Sequence, residues 1–278
     1  MTDRKGRLFV VATPIGNLED ITHRALKILK EVDLIACEDT RHSKKLLSHY
    51  GITKKLVSYY KPKEHSKSIK IINELLDGKD VALISDAGTP AISDPGQLLI
   101  EEARINRIDI IGIPGPSSLI TALSISGFKV VPFIFDGFFP KKRSEAIKRV
   151  ERLREFSGSI VYFITARQIT GFLEIVRDIL GEKRVFIGRE LTKVYEEIKI
   201  GTPTELINVG IIEKGEMVVI IENSDVKKNS DLTDDLEKLL LDAIKEKKTF
   251  KDIAKSDKFK NIKRNELYKL YEKLKKSL

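Results

Sequence analysis

Cysteine is nearly absent from this 278-residue chain, and the single one, Cys37, ends the apolar run Leu34 to Cys37. One cysteine excludes an internal disulfide and any cysteine cluster for zinc. The four histidines, His23, His42, His49 and His65, stand at no metal-ligand spacing, so no dedicated transition-metal site is expected. No apolar run approaches the length of a membrane span, and Met-Thr-Asp-Arg-Lys leads into no signal-peptide core. A cytoplasmic protein without membrane association is therefore expected. Three catalytic signatures are missing as well: G-x-G-x-x-G after the first strand, G-x-x-x-x-G-K-[ST] anywhere, and G-x-S-x-G. Their absence argues against a dinucleotide oxidoreductase, a P-loop nucleotidase and a serine hydrolase. There is no internal repeat and no low-complexity run.

What is present is a well-charged globular composition, 41% apolar and 33% charged, long enough for two domains or one large one. The formal net charge of +9 is unevenly placed. Residues 245 to 278 hold 13 Lys or Arg against 5 Asp or Glu, a net +8, and residues 141 to 154 hold 7 against 2, a net +5. Clustered cationic charge suits a polyanionic partner, because each neutralised phosphate releases condensed counterions. Solvated lysine-rich helices would carry the same charge. Seven Tyr and twelve Phe leave aromatics for base stacking.

Apolar and amphipathic segments alternate through the first half. Leu8 to Ala12, Leu34 to Cys37, Leu56 to Tyr59, Val81 to Ile84 and Ile108 to Ile113 read as strands. Between them, Glu19 to Val32, Ser43 to Tyr50, Ser68 to Leu76 and Leu98 to Ile105 read as helices. This grammar demands parallel pairing with right-handed crossovers, and uninterrupted Val/Ile/Leu strands fit a sheet covered on both faces. A small-residue helix, Leu119 to Ser126, follows, capped by Ser117 or Ser118. After Gly127 come strand Phe133 to Phe138, helix Arg143 to Glu155, strand Ser159 to Ile164 and helix Gln168 to Leu180. Strands Arg184 to Glu190, Val194 to Ile200 and Glu216 to Glu222 follow, with a short helix near Pro203 to Ile207. The turn Leu191-Thr192-Lys193 implies a hairpin, so the second sheet is mixed. Beyond a polar linker at Asn223 to Asp231, a helix bearing Leu236 and Leu240, a second capped by Thr249, and a third bearing Leu267, Tyr271 and Leu274 form a basic helical domain. The expected organisation is two α/β domains, 1–128 and 129–223, with linker and helical domain at 224–278.

Three loops at the carboxyl edge of the first sheet concentrate Gly, Pro, Asp and Ser, and the richest is SDAGTPAISDPG, Ser85 to Gly96. Open α/β sheets bind ligands at this edge. Small residues let the backbone approach a ligand, while Asp86 and Asp94 offer acceptors to hydroxyls, amines or a cation. A turn-rich solvated connection would share the composition. Such a cleft suits a ligand held largely by backbone groups, such as an adenosyl moiety.

These segments also carry a family likeness. TPIGNLEDITHRAL (Thr13 to Leu26), CEDTRHSKKLL (Cys37 to Leu47), SDAGTPAISDPG, PGPSSLITALSISG (Pro114 to Gly127), FDGFFPKK (Phe135 to Lys142) and RELTKVYEE (Arg189 to Glu197) occur in this order. The set resembles the bacterial small-subunit ribosomal RNA methyltransferases I, within the tetrapyrrole methylase superfamily. The resemblance implies two α/β domains with S-adenosyl-L-methionine in the cleft between them. It also implies a homodimer, and 2′-O-methylation of a cytidine ribose in the decoding region of 16S rRNA, in free rRNA or the 30S subunit. Asp86, Gly88, Thr89, Ser117 and Ser118 look like cofactor contacts, as do Pro14 and Gly16 in the first-strand loop. Two segments depart from the family pattern, Phe163 to Gln168 and Tyr59 to His65. Both bear on substrate contacts more than on the cofactor.

Methyl transfer from a sulfonium is an in-line displacement in which alignment does much of the work. A ribose 2′-OH attacks well only as its proton is drawn off, and Glu38 or Asp39, at the end of the second strand, could act as that base. An ordinary surface pairing of these acids with Arg41 is the competing interpretation. Arg41, Arg189 and Lys193 are candidates for phosphate contact. Another methylase of this fold acting on a small molecule or protein, and a non-enzymatic RNA-binding protein, are the alternatives.

Overall fold

The computed structural model describes residues 4–61, 64–212, 214–224, 239–244, 248–256, 259 and 264–275. The chain divides into two compact units, residues 1–224 and 225–278. The first unit holds both sheets.

The first sheet is built from β1 (Leu8–Val11), β2 (Leu34–Cys37), β3 (Lys55–Ser58), β4 (Val81–Ile84) and β5 (Ile110–Ile113), in the order β3-β2-β4-β1-β5. All four pairings are parallel. Helices α1 (His23–Glu31), α2 (Thr40–His49), α3 (Glu64–Leu76) and α4 (Gln97–Ile105) make the crossovers. Alternate residues of each strand enter different cores. Leu8, Leu34, Val81 and Leu83 pack with α3 and α4, whereas Phe9, Ile35, Ala82 and Ile84 pack with α1 and α2. That two-sided burial is why these strands are continuous apolar runs.

The second sheet has the order β6-β7-β10-β8-β9, from β6 (Phe133–Phe138), β7 (Ser159–Thr165), β8 (Val185–Arg189), β9 (Glu197–Gly201) and β10 (Glu216–Glu222). Only β6 and β7 pair in parallel, so the sheet is mixed. One face carries α6 (Arg143–Arg152), α7 (Ile169–Leu180) and α8 (Pro203–Val209) over a core of Tyr162, Ile164, Phe172, Ile187 and Val219. The other face, with Val161, Phe186, Val218 and Ile220, packs against Leu119, Ala122 and Leu123 of α5 (Ser118–Ile125). Helix α5 thus joins the carboxyl edge of the first sheet to the inner face of the second.

Among the element boundaries that differ from the periodicity, three have a plain local reason. Helix α2 starts at Thr40 rather than Ser43, because the Asp39 carboxylate accepts from the Arg41 N–H at 2.8 Å and caps it. The first helix starts at His23, where the Thr22 hydroxyl accepts from Ala25, leaving Leu18–Asp20 as a separate 3-10 turn. Strand β9 starts at Glu197 rather than Val194, since Val194 and Tyr195 face solvent, 95% and 76% exposed. Apolar character there reflects neither burial nor a ladder.

In the second unit, a Thr249–Asp252 capping box starts helix Phe250–Lys255. Helix Arg264–Lys275 and helical residues 239–244 share a core of Leu240, Ile253, Phe259, Leu267, Tyr271 and Leu274. Leu236 and most of the 223–231 linker lie outside the described residues.

Candidate functional site

The three carboxyl-edge loops of the first sheet are stitched together by backbone and hydroxyl groups. Thr13, just past β1, and Gly88, past β4, exchange both backbone bonds, at 2.9 and 3.0 Å. The Thr13 hydroxyl donates to the Ser85 carbonyl at 3.1 Å, and the Ser85 hydroxyl to the Gly88 carbonyl at 3.1 Å. Gly88 sits at φ +80°, where a side chain would be strained, and its Cβ position is 3.4 Å from the Ile15 methyl. The Thr89 hydroxyl donates to the Pro116 carbonyl at 3.3 Å, fixing the β4 loop to the β5 loop. Of the two candidate caps for α5, Ser117 holds the position: its hydroxyl accepts from Ile120.

These loops face the second sheet across a cavity of about 310 Å³. On one wall stand Ile15, Asp86, Gly88, Thr89, Ser117 and Ser118; on the other, Phe138, Phe163, Glu190, Lys193 and Met217. Gly16 sets how closely the walls approach. A Cβ there would lie 2.5 Å from Lys193 Cγ and 2.6 Å from Thr192 Oγ1, and Asn17 N–H donates to that same hydroxyl at 3.1 Å.

Carboxylates gather at one end of the site. Asp86 Oδ1 accepts from Asp39 N–H at 3.2 Å, which anchors the β4 carboxylate to the end of β2. Burial, with repulsion from Asp94 and Asp86, pushes the Glu38 carboxyl above the ordinary range, with Lys61 opposing. Asp94, also in the cavity wall, is pushed up chiefly by burial and then by Asp86, with the neighbouring Ser85 hydroxyl opposing. Asp39 goes the other way: bonds from the Arg41 backbone and guanidinium lower it. On the opposite wall, burial disfavours charge on Lys193, but its ammonium bonds Glu190 at 3.1 Å and Glu216 at 3.0 Å, and the net effect keeps it protonated.

The sequence profile of the Tetrapyrrole (Corrin/Porphyrin) Methylases matches residues 7–207. This chain belongs to that family. Within it, the chain is 42% identical to the ribosomal RNA small subunit methyltransferase I of Leptospira biflexa, over 83% of this chain and 97% of the relative. It is 42% identical to the enzyme of that name from Haemophilus influenzae, over 83% of each. Among solved structures, diphthine synthase superposes with a TM-score of 0.60 at 14% identity, covering 78% of this chain and 90% of that one. Thermus thermophilus uroporphyrin-III-C-methyltransferase superposes with a TM-score of 0.58 at 16% identity, covering 81% and 98%. At such identities the structural likeness establishes the tetrapyrrole methylase fold alone.

In this tetrapyrrole methylase, the structure gathers Asp86, Gly88, Thr89, Ser117, Ser118 and Lys193 around one cavity. Neither Pro14, which is buried, nor Gly16, which is exposed, is in the cavity wall, where Ile15 is the residue of that loop. Glu38, Asp39 and Arg41 stand outside the cavity lining, beyond Asp86. Arg41 is mostly exposed and pairs with Asp39 at 3.3 Å. Arg189 is tied into the second sheet: its guanidinium is nearly buried and bonds Glu197, its cross-strand partner, at 2.9 Å. Sequence reasoning missed Phe138, Phe163 and Glu190. Phe138 was hidden because the inward alternation of β6 breaks at Asp136-Gly137, Phe163 because its strand β7 reads from sequence only as a buried apolar run, and Glu190 because only a fold brings Gly215 close enough to seat its side chain.

Proposed function

We propose that this chain is an S-adenosyl-L-methionine-dependent methyltransferase of small-subunit ribosomal RNA, acting on a cytidine 2′-hydroxyl of the 16S decoding region. The observation that supports it most is the stitched set of loops at Thr13–Gly16, Ser85–Thr89 and Pro116–Ser118 facing the second sheet, in a chain 42% identical to a protein named ribosomal RNA small subunit methyltransferase I. We extend the reading to a cytoplasmic homodimer, which sedimentation velocity tests.

The residues present fit the cofactor. A cavity of about 310 Å³ lies within the range of small-ligand sites, on the order of 300–1,000 Å³. Its first wall offers backbone groups, two serine hydroxyls and the Asp86 carboxylate, suited to an adenosyl and amino-acid ligand. When bound, S-adenosyl-L-methionine supplies an electrophilic methyl on a sulfonium. Asp86 is held by the Asp39 N–H and presents its carboxylate as an acceptor at the wall. Gly88 and Gly16 keep the walls close without side chains between them. Glu38 is the proposed base, taking the ribose proton on a carboxylate oxygen; Asp39 is occupied as the cap of α2. Lys193 and the basic residues 245–278 serve the RNA phosphates.

Calorimetry with S-adenosyl-L-methionine, followed by methylation of 30S subunits against free 16S rRNA, tests the reading. Asp86→Ala is expected to weaken cofactor binding at least tenfold with the fold intact. Unchanged affinity in a folded variant would remove Asp86 from the site, and transfer to neither RNA substrate would sink the rRNA assignment.

A further inference from the structure

We propose that Phe138 is a stacking platform for a base of the RNA substrate at the mouth of the cavity, an inference that takes its substrate class from the reading above. Strand β6 runs beside β7 with Phe133, Ile134 and Phe135 opposite Ser159, Ile160 and Val161. Regular alternation would then aim residue 138 at the face covered by α6 and α7. Instead the register shifts by one residue, so that Phe138 pairs with Phe163 and shares its side of the sheet. Gly137, at φ +74°, makes the irregularity. On the opposite side Asp136, only 9% exposed, bonds Arg149 at 2.8 and 3.2 Å and Arg152 at 3.0 Å. The ladder closes again at the Phe139 N–H, which donates to the Phe163 carbonyl at 2.8 Å. Bulges of this kind re-aim side chains beside functional sites.

The re-aimed ring lines the cavity yet is 59% exposed, forgoing the burial a phenyl ring ordinarily seeks. It is braced from behind: the Phe163 ring lies 5.5 Å away edge-on, and Phe135 supports Phe163 at 4.8 Å. A fixed ring with a free face suits a nucleobase, whose stacking needs no particular hydrogen-bond pattern. Its position favours the RNA over the cofactor's adenine. A small ligand in such a cavity is mostly enclosed, whereas this ring opens to solvent, and the exposed Lys141 and Lys142 begin the basic run just beyond it.

The test titrates full-length protein, saturated with S-adenosylhomocysteine, into short single-stranded oligoribonucleotides carrying 2-aminopurine at successive positions. The wild type is expected to quench the fluorophore at one or two positions. Phe138→Ala should abolish that quenching and weaken RNA binding about tenfold, while Phe138→Tyr retains both. In methylation of 30S subunits, Phe138→Ala should raise KM about tenfold with little change in kcat or cofactor affinity. Equal quenching and RNA affinity in wild type and Phe138→Ala overturn the proposal, as does a loss confined to cofactor binding. Phe138-dependent quenching without transfer to 30S subunits would support the platform and sink the rRNA assignment. Transfer with no dependence on Phe138 would do the reverse.

Discussion

Glu38 and Asp39 are neighbours in sequence and opposites in environment, and that decides which can take a proton. The Asp39 carboxylate accepts from the Arg41 backbone and guanidinium, which lower its affinity for protons. Burial and the charges of Asp94 and Asp86 raise that of Glu38. A base works best when its proton affinity approaches the operating pH, so Glu38 is the better suited. Glu38→Gln is expected to lower kcat on the order of 10²–10⁴-fold with cofactor affinity held. Asp39→Asn, which still caps α2, should change kcat by only a few-fold. The sign of the pH dependence follows. A raised pKa keeps Glu38 protonated to higher pH, so activity that needs the carboxylate falls, as pH drops, earlier than it would for an exposed glutamate. Asp94→Asn removes one repelling charge and lowers the Glu38 pKa, so the acidic limb of kcat should move to lower pH. A limb that stays in place in Asp94→Asn, or survives in Glu38→Gln, assigns the titration to another group.

Among the elements, the loops matter more than the strands they follow, and Gly16 tests how tightly. Gly16→Ala must displace the Lys193 stem and the Thr192 hydroxyl, shifting Ile15 in the cavity wall. The expected results are a stability loss of about 1–3 kcal/mol, read by denaturant melts, and weaker S-adenosyl-L-methionine binding by calorimetry. A variant with wild-type values in both would show that the walls need not meet so closely. Much of this architecture was legible beforehand. Runs such as Leu34–Cys37 and Val81–Ile84 are strands as read, because two-sided burial leaves no ambiguity of face. The Asp86–Thr89 and Ser117–Ser118 loops were likewise visible from composition alone. Less legible were features set by a single hydrogen bond or by contacts between distant segments. Asp39 as a helix cap belongs to the first kind; the Arg189–Glu197 pair and the re-aimed Phe138 belong to the second. Hydrophobicity even misled at Val194-Tyr195, where exposed residues imitate a strand start.

For the molecule as a whole, the two basic clusters are not equivalent. In residues 141–154 the charge is largely spent internally: Arg149 and Arg152 hold Asp136, Arg143 pairs with Glu174, and Lys142 with Glu145. The 245–278 segment carries a net +8 on a unit with its own small core. Each phosphate it neutralises contributes about 0.7–0.9 to the slope of log K against log salt. Deleting Asp231 to Leu278 should therefore raise KM for rRNA and flatten its salt dependence by several units of slope, while cofactor affinity barely moves. Arg149→Glu and Arg152→Glu should act differently, because they leave the nearly buried Asp136 carboxylate facing a like charge: stability falls first, and the salt slope changes little. Filter binding across 50 to 200 mM salt, with calorimetry on the same preparations, separates the two. An unchanged slope in the truncated protein would make the tail's charge a matter of solvation, and the RNA phosphates would then have to be met by the first unit, where Lys141, Lys148 and Arg154 show no ion pair among the described residues.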